Sequence, residues 1–202
     1  LCVTNTEHEK GHHFNMATTS QTNNIANPAP LGLLGFGMTT VLLNIHNAGF
    51  TPLSIVILAM GFALGGAAQI IAGIMEFKKN NTFGATAFTA YGFFWWSLIM
   101  IWIKPFPGIE SADPLSMGWY LALWGVFTFF MFIGTLKHNR ATQVVFGSLT
   151  LLFFLLAAAN FTGSHPIHTF AGYVGIFCGS SALYNSFAQI INNEFGKKIL
   201  PL

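Results

Sequence analysis

Charge is what this sequence has least of. Its 202 residues include only eight Lys and Arg and six Asp and Glu, or 7%, where soluble domains carry about a quarter. A chain that is 53% hydrophobic and so short of charge cannot cover a globule with water-compatible surface, which excludes a soluble domain. The net charge of +2 is too small and too scattered to serve nucleic acid. Cysteine is scarce as well. Cys2 and Cys178 cannot form a disulfide framework, and Cys178, inside an apolar run, reads as a small packing residue. No apolar stretch follows a basic segment at the start, which excludes a signal peptide there. No Asp, Glu, Lys or Arg falls in the middle of an apolar run, and Glu76 is expected at the edge of one. Intramembrane charges mark proton relays and voltage sensors, so a pump built on a carboxylate relay is disfavoured. Intramembrane hydrolysis is disfavoured too, since it needs paired acids, a Ser–His unit or a metal. No cofactor, metal site or enzymatic activity is expected.

What the chain has in abundance is apolar length. A transmembrane helix needs roughly twenty mostly apolar residues, and six runs qualify: Leu31–Asn47, Leu53–Met75, Thr82–Ile103, Met117–Leu136, Gln143–Ala159 and Ile167–Ile190. Short breaks separate them, among them Lys78-Lys79-Asn80-Asn81 and Lys137-His138-Asn139-Arg140. The expected fold class is an all-α integral membrane protein, a six-helix transmembrane bundle over 27–191. A polar tail (1–26) precedes it and a short tail (192–202) follows. Met16-Ala17-Thr18-Thr19-Ser20 reads like an ordinary protein start, so the first fifteen residues are expected to be dispensable or upstream sequence.

Basic residues favour the cytoplasmic side. With six crossings, Lys10, Lys78, Lys79, Lys137, Arg140, Lys197 and Lys198 fall on one side and Lys104 alone on the other. Both termini are therefore expected in the cytoplasm, with the protein in the cell membrane. Trp102, Trp119 and Tyr120 sit near outer span ends, as interfacial anchors should, and Trp95, Trp96 and Trp124 lie deeper, where an indole N–H usually bonds across helices. Gly61 and Gly65, and Ala171, Gly175 and Gly179, recur four apart as helix-packing seams, within or between subunits.

The spans carry neutral hydrogen-bonding groups instead of charges. Among these Thr39, Asn44, Gln69 and Thr89 are candidates for substrate contact, although Ser and Thr commonly bond back to their own helix. Gln69, in an apolar, glycine-rich run, is either an interhelical clamp or a substrate contact. Such a lining suits a small polar solute, either a monocarboxylate or its uncharged acid. His46, His165 and His168 gather at the expected outer face and read as interfacial hydrogen-bonding residues.

Asn27-Pro28-Ala29-Pro30-Leu31-Gly32-Leu33 opens the first span, with Asn27 placed as a helix N-cap and the prolines in a first turn that loses no hydrogen bond. From Asn27 to Gly37 the string resembles the signature of the acetate/succinate transporter family of bacteria, archaea and fungi. Glu76–Gly84, Leu123–Thr128 and Phe195–Pro201 match it in order, so the resemblance runs from about residue 25 to the end. Asn27, Pro28, Pro30 and Gly32 are the signature positions. The resemblance implies a channel or transporter for acetate and related small carboxylates, with succinate as a candidate, and a homo-hexamer whose protomers each hold a pore. It also implies a hydrophobic constriction at Phe36, Tyr91 and Leu149, on the odd-numbered spans, and a role for Ala182 in substrate size. The competing reading is a non-transporting membrane scaffold or an ammonium-linked membrane protein.

Overall fold

The computed structural model describes residues 25–202. Among them every regular element is helical, and six helices are long and apolar enough to cross a membrane. They are α1 (Ala29–Asn47), α2 (Ile55–Lys78), α3 (Thr82–Ile103), α4 (Pro114–Thr135), α5 (Arg140–Thr162) and α6 (His165–Glu194). The six expected spans are all present, each within a few residues of its expected ends. His8, His12, His13, Cys2 and Lys10 lie outside the described residues.

Helix starts follow the local chemistry. Asn81, Asp113 and Asn139 cap α3, α4 and α5, their side chains accepting from Gly84 N, from Leu115 and Ser116 N, and from Thr142 N. Pro30, Pro114 and Pro166 occupy first turns, where the missing N–H leaves no bond unmade. Asn27 departs from expectation. The α1 cap position is Pro28, and the Asn27 side chain accepts from Ala29 N at 3.3 Å while turning outward to other partners.

The helices pack in the order α3–α2–α1–α6–α5–α4. Side chains close the circle between α4 and α3: Tyr91 Oη donates to Thr128 Oγ1 at 2.9 Å, Ser97 Oγ and Tyr120 Oη meet at 2.7 Å, and Phe94 stands edge-on to Trp124. The outer surface stays apolar, with Ile71, Phe77, Leu123, Phe130 and Phe177 all exposed as lipid or a neighbouring subunit requires.

The small-residue seams serve two different partners. Gly175 and Gly179 on α6 receive Asn44 and Val41 of α1, a close helix–helix approach within the chain. Gly61 and Gly65 on α2 receive the Trp95 ring of α3, and Gly66 receives Trp96. There α2 is π-helical over Gly61–Ala68. Two indoles pressed against three residues without Cβ atoms displace the usual i→i−4 ladder. Trp96 Nε1 donates to Phe62 O at 3.0 Å, as expected of a deep indole, but Trp95 Nε1 finds no partner.

Candidate substrate pathway

A cavity of about 310 Å³ lies inside the ring of helices, near the lower end of the size range of small-molecule pockets. Its wall rises along four helices from one end of the bundle. On α3 it runs from Phe83 and Gly84 to Tyr91, and on α5 from Thr142 to Leu149. On α1 it runs up to Phe36, and on α2 from Lys79 and Glu76 to Gln69. The deep end therefore consists of Phe36, Gln69, Tyr91 and Leu149, with Tyr91 roughly halfway along α3.

The three expected constriction residues do meet at one place. Phe36, Tyr91 and Leu149 are all buried, and the Phe36 and Tyr91 rings stand 6.0 Å apart. Tyr91 packs against Trp124, Phe127 and Phe146, while Thr128 Oγ1 accepts its hydroxyl and itself donates to Trp124 O at 2.6 Å. Beyond them Phe94, Trp95, Leu98, Leu152 and Phe153 fill the interior as packed core. The odd-numbered helices supply the three ring side chains, yet the wall also draws on α2 and, through Gln189, on α6.

Of the candidates for substrate contact, only Gln69 lines the cavity. Its Nε2 donates to Gly65 O of its own helix at 2.7 Å, so it is not an interhelical clamp. That bond fixes which end of the amide is the donor and leaves Oε1 without a partner. Thr39 bonds back to Gly35 O and Phe36 O, and Asn44 to Thr40 O while packing on Gly175. Thr89 lies against Gly73 with its hydroxyl unpartnered. Ala182 is fully buried on α6 away from the cavity wall. Gly32 receives Phe88, and Pro30 O accepts from Ser186 Oγ at 2.7 Å, so the signature locks α1 onto α3 and α6.

The mouth is polar and was mostly invisible in the sequence. Asn27, Lys79, His138 and Asn139 are exposed around it. Lys79 Nζ donates to Asn27 Oδ1 at 3.1 Å, and Asn27 Nδ2 to Gln189 Oε1 at 2.9 Å. Gln189 Nε2 passes the chain to Asn185 Oδ1 at 3.0 Å, whose Nδ2 reaches Thr142 Oγ1 at 3.1 Å. Asn27 of the signature is thus the knot of a hydrogen-bonded belt joining α2, α6 and α5 rather than a helix cap.

Glu76 requires a correction. It was expected at the edge of its span, with no buried acid to couple transport to protons. In sequence it does lie near the end of α2, but its side chain is fully buried and lines the cavity. Asn81 Nδ2 donates to Oε2 at 2.8 Å and Lys79 Nζ stands 4.0 Å from the same oxygen, while Oε1 has no partner. The signal that could have found it is spacing. Gln69, Gly73 and Glu76 fall on one helical face, which places Glu76 in line with a residue already singled out.

A test of the deep end follows from the Tyr91 contacts. Tyr91→Phe leaves Thr128 still donating to Trp124 O, so its stability loss is expected near the roughly 0.6 kcal/mol average for interhelical bonds in membranes. Tyr91→Ala empties the centre of an aromatic cluster and is expected to cost about 3 kcal/mol. Thermal unfolding in detergent separates the two.

Six membrane-length helices around an internal cavity with a polar mouth and an aromatic end make this a polytopic membrane protein organised around a cavity that enters the bundle from one side. The chain belongs to the GPR1/FUN34/yaaH family, whose pattern matches residues 10–199. It is 55% identical over 179 residues to the succinate-acetate/proton symporter SatP of Escherichia coli K12, covering 88% of this chain and 95% of that one. It is 39% identical over 178 residues to ammonia transport outward protein 2 of Saccharomyces cerevisiae, covering 84% of this chain and 63% of that one. The solved structure of the bacterial acetate channel SatP superposes with a TM-score of 0.86 at 54% identity, over 88% of this chain and 99% of that one.

Proposed function

We propose that this protein is a membrane pore for acetate and related small carboxylates, succinate among them, selecting by size and by dewetting at Phe36, Tyr91 and Leu149. The observation that carries the reading is the graded cavity. Lys79, His138 and the amides of Asn27 and Asn139 surround its mouth, and two rings and an isobutyl group end it. A hydrated ion must shed water to pass such an end, where no charged group replaces the lost shell, and apolar constrictions gate by that means. A two-carbon acid presents one apolar methyl and one polar group, which the ring and the unpartnered Gln69 Oε1 match. The substrate class rests on the relatives, one named as a symporter and one as a channel for these acids.

Among the described residues, six of the seven basic side chains fall on the mouth side by this topology, which supports a mouth open to the cytoplasm with both termini there. The cavity lies within one protomer, so the homo-hexamer suggested by the family resemblance would hold one pathway per subunit. The competing reading is a non-transporting scaffold or an ammonium-linked protein. The mouth favours the acid reading, because a lysine and amide donors meet an anion better than a cation.

Cysteine substitution tests whether this cavity is the route. Ala87 is buried in its wall. In Ala87→Cys, a small thiol-specific reagent is expected to reduce labelled acetate flux about tenfold, a loss equivalent to about 1.4 kcal/mol in barrier height, and acetate is expected to slow the labelling. Modification with full flux retained would place the route elsewhere.

A further inference from the structure

Among the described residues four buried side-chain atoms lack a hydrogen-bond partner: Gln69 Oε1, Glu76 Oε1, Thr89 Oγ1 and Trp95 Nε1. Buried polar atoms are seldom left so, and each calls for a reason. Two of them, Gln69 Oε1 and Glu76 Oε1, belong to residues that line the same cavity from one side of α2, two helical turns or about 10 Å apart. Both are acceptors. A carboxylate offers acceptors only and gains nothing from them, whereas an undissociated acid carries one O–H to donate.

We propose that Gln69 and Glu76 form a proton-exchange station on the mouth side of the ring. The substrate passes Phe36, Tyr91 and Leu149 as the neutral acid and donates its O–H to Gln69 Oε1. Nearer the mouth it transfers that proton to Glu76. The step balances: the substrate O–H bond breaks, a Glu76 Oε1–H bond forms, the carboxylic acid becomes a carboxylate and the Glu76 carboxylate becomes a carboxylic acid. The anion leaves through the belt at Lys79 and Asn27, and Glu76 returns its proton to water at the mouth. In the reverse direction Glu76 protonates an entering anion so that it can cross. The inference deepens the transport reading and rests on it.

The groups facing Glu76 suit a carboxylate that changes protonation state without losing its place. From its own helix end Lys79 stands 4.0 Å from Oε2, and from the α2–α3 turn Asn81 holds that oxygen at 2.8 Å. From the α4–α5 turn His138 shares the wall, and from α3 the one titratable wall residue is Tyr91, at the deep end. The wall residues from α1, α5 and α6 and from the segment before α1 are uncharged. One oxygen is therefore tethered and the other left without a partner, which separates holding from proton exchange.

The test uses full-length protein in proteoliposomes and labelled acetate, which a single proton neutralises, with protein-free vesicles as background and membrane potential set by a potassium gradient. Wild-type uptake is expected to be insensitive to potential. Glu76→Gln keeps the size of the side chain and an oxygen for Asn81 but carries no exchangeable proton at neutral pH. Its uptake is expected to fall about tenfold or more and to be restored severalfold by imidazole, a mobile proton carrier standing in for the lost general base. Glu76→Asp, a carboxylate withdrawn by one methylene, is expected to fall less and to respond to imidazole in proportion. Should Glu76→Gln fail to fold, by size-exclusion profile, the imidazole response of Glu76→Asp decides alone. A Gln variant as fast as wild type overturns the station, as does a slow folded variant indifferent to imidazole. Potential-driven wild-type uptake overturns it too, while leaving the transport reading intact. No uptake by folded wild-type protein instead contradicts the transport reading itself.

Discussion

Replacing Leu149 with alanine is expected to raise succinate flux relative to acetate flux about tenfold. Leu149 is 3% exposed and lines the deep end of the cavity with Phe36 and Tyr91. At a close-fitting apolar site each methylene that must be accommodated is worth about 1–3 kcal/mol, and about 1.4 kcal/mol is a factor of ten in rate. Removing the isobutyl group relieves that penalty for the longer acid and gives the shorter one little. The change also destabilises the fold, by about 2–3 kcal/mol for a buried leucine, so the control matters. Leu152, 4% exposed and one turn farther along α5, lies outside the cavity wall. Leu152→Ala is expected to cost similar stability and to leave the succinate-to-acetate ratio where it was. Equal ratios in Leu149→Ala and wild type would remove Leu149 from the selective ring.

Gly172→Ala is expected to destabilise the protein by about 3 kcal/mol, at the upper end of the range for overpacking. A Cβ at Gly172 would lie 2.7 Å from both Ala48 Cα and Asn47 C, at the end of α1. These are backbone atoms and cannot rotate aside, so α1 and α6 must separate. Gly134→Ala provides the contrast. Its Cβ meets only the Phe83 ring, at 3.3 Å, and the better helix propensity of alanine offsets that pressure. Thermal unfolding in detergent, followed by loss of the monodisperse peak, is expected to rank Gly172→Ala far below Gly134→Ala. A Gly172→Ala protein as stable as wild type would show that the α1–α6 seam is looser than described.

The six helices were legible because lipid imposes the simplest of patterns: apolar length, interrupted at Lys78–Asn81, Lys104–Gly108 and Lys137–Arg140. What escaped was tertiary. No one-dimensional pattern shows that Trp95 and Trp96 press into Gly61, Gly65 and Gly66, so the π-helical stretch read as ordinary helix. The back-bonding of Thr39 and Asn44 follows a local rule, yet which polar side chains instead face a cavity depends on how helices rotate against one another. Composition could not decide between Thr89, turned to Gly73, and Gln69, turned to the cavity. The constriction roles of Phe36, Tyr91 and Leu149 came from the resemblance; by residue type Phe36 and Leu149 are plain core residues, and Tyr91 is one of the neutral hydrogen-bonding groups of the spans. Glu76 was discounted because proximity to a helix end suggests solvent, whereas the α2–α3 turn folds over it and Asn81 seals one oxygen.

Counterflow in proteoliposomes tests the central claim most directly. Vesicles holding purified protein and loaded with unlabelled acetate are diluted into a trace of labelled acetate, and lumenal label is followed against protein-free vesicles and against vesicles loaded with ammonium. Transient accumulation of label above equilibrium, driven by acetate and succinate but not by ammonium, is the result this account predicts. Label that tracks the protein-free control, with protein shown to be folded and inserted, would contradict it and leave the fold as a membrane scaffold.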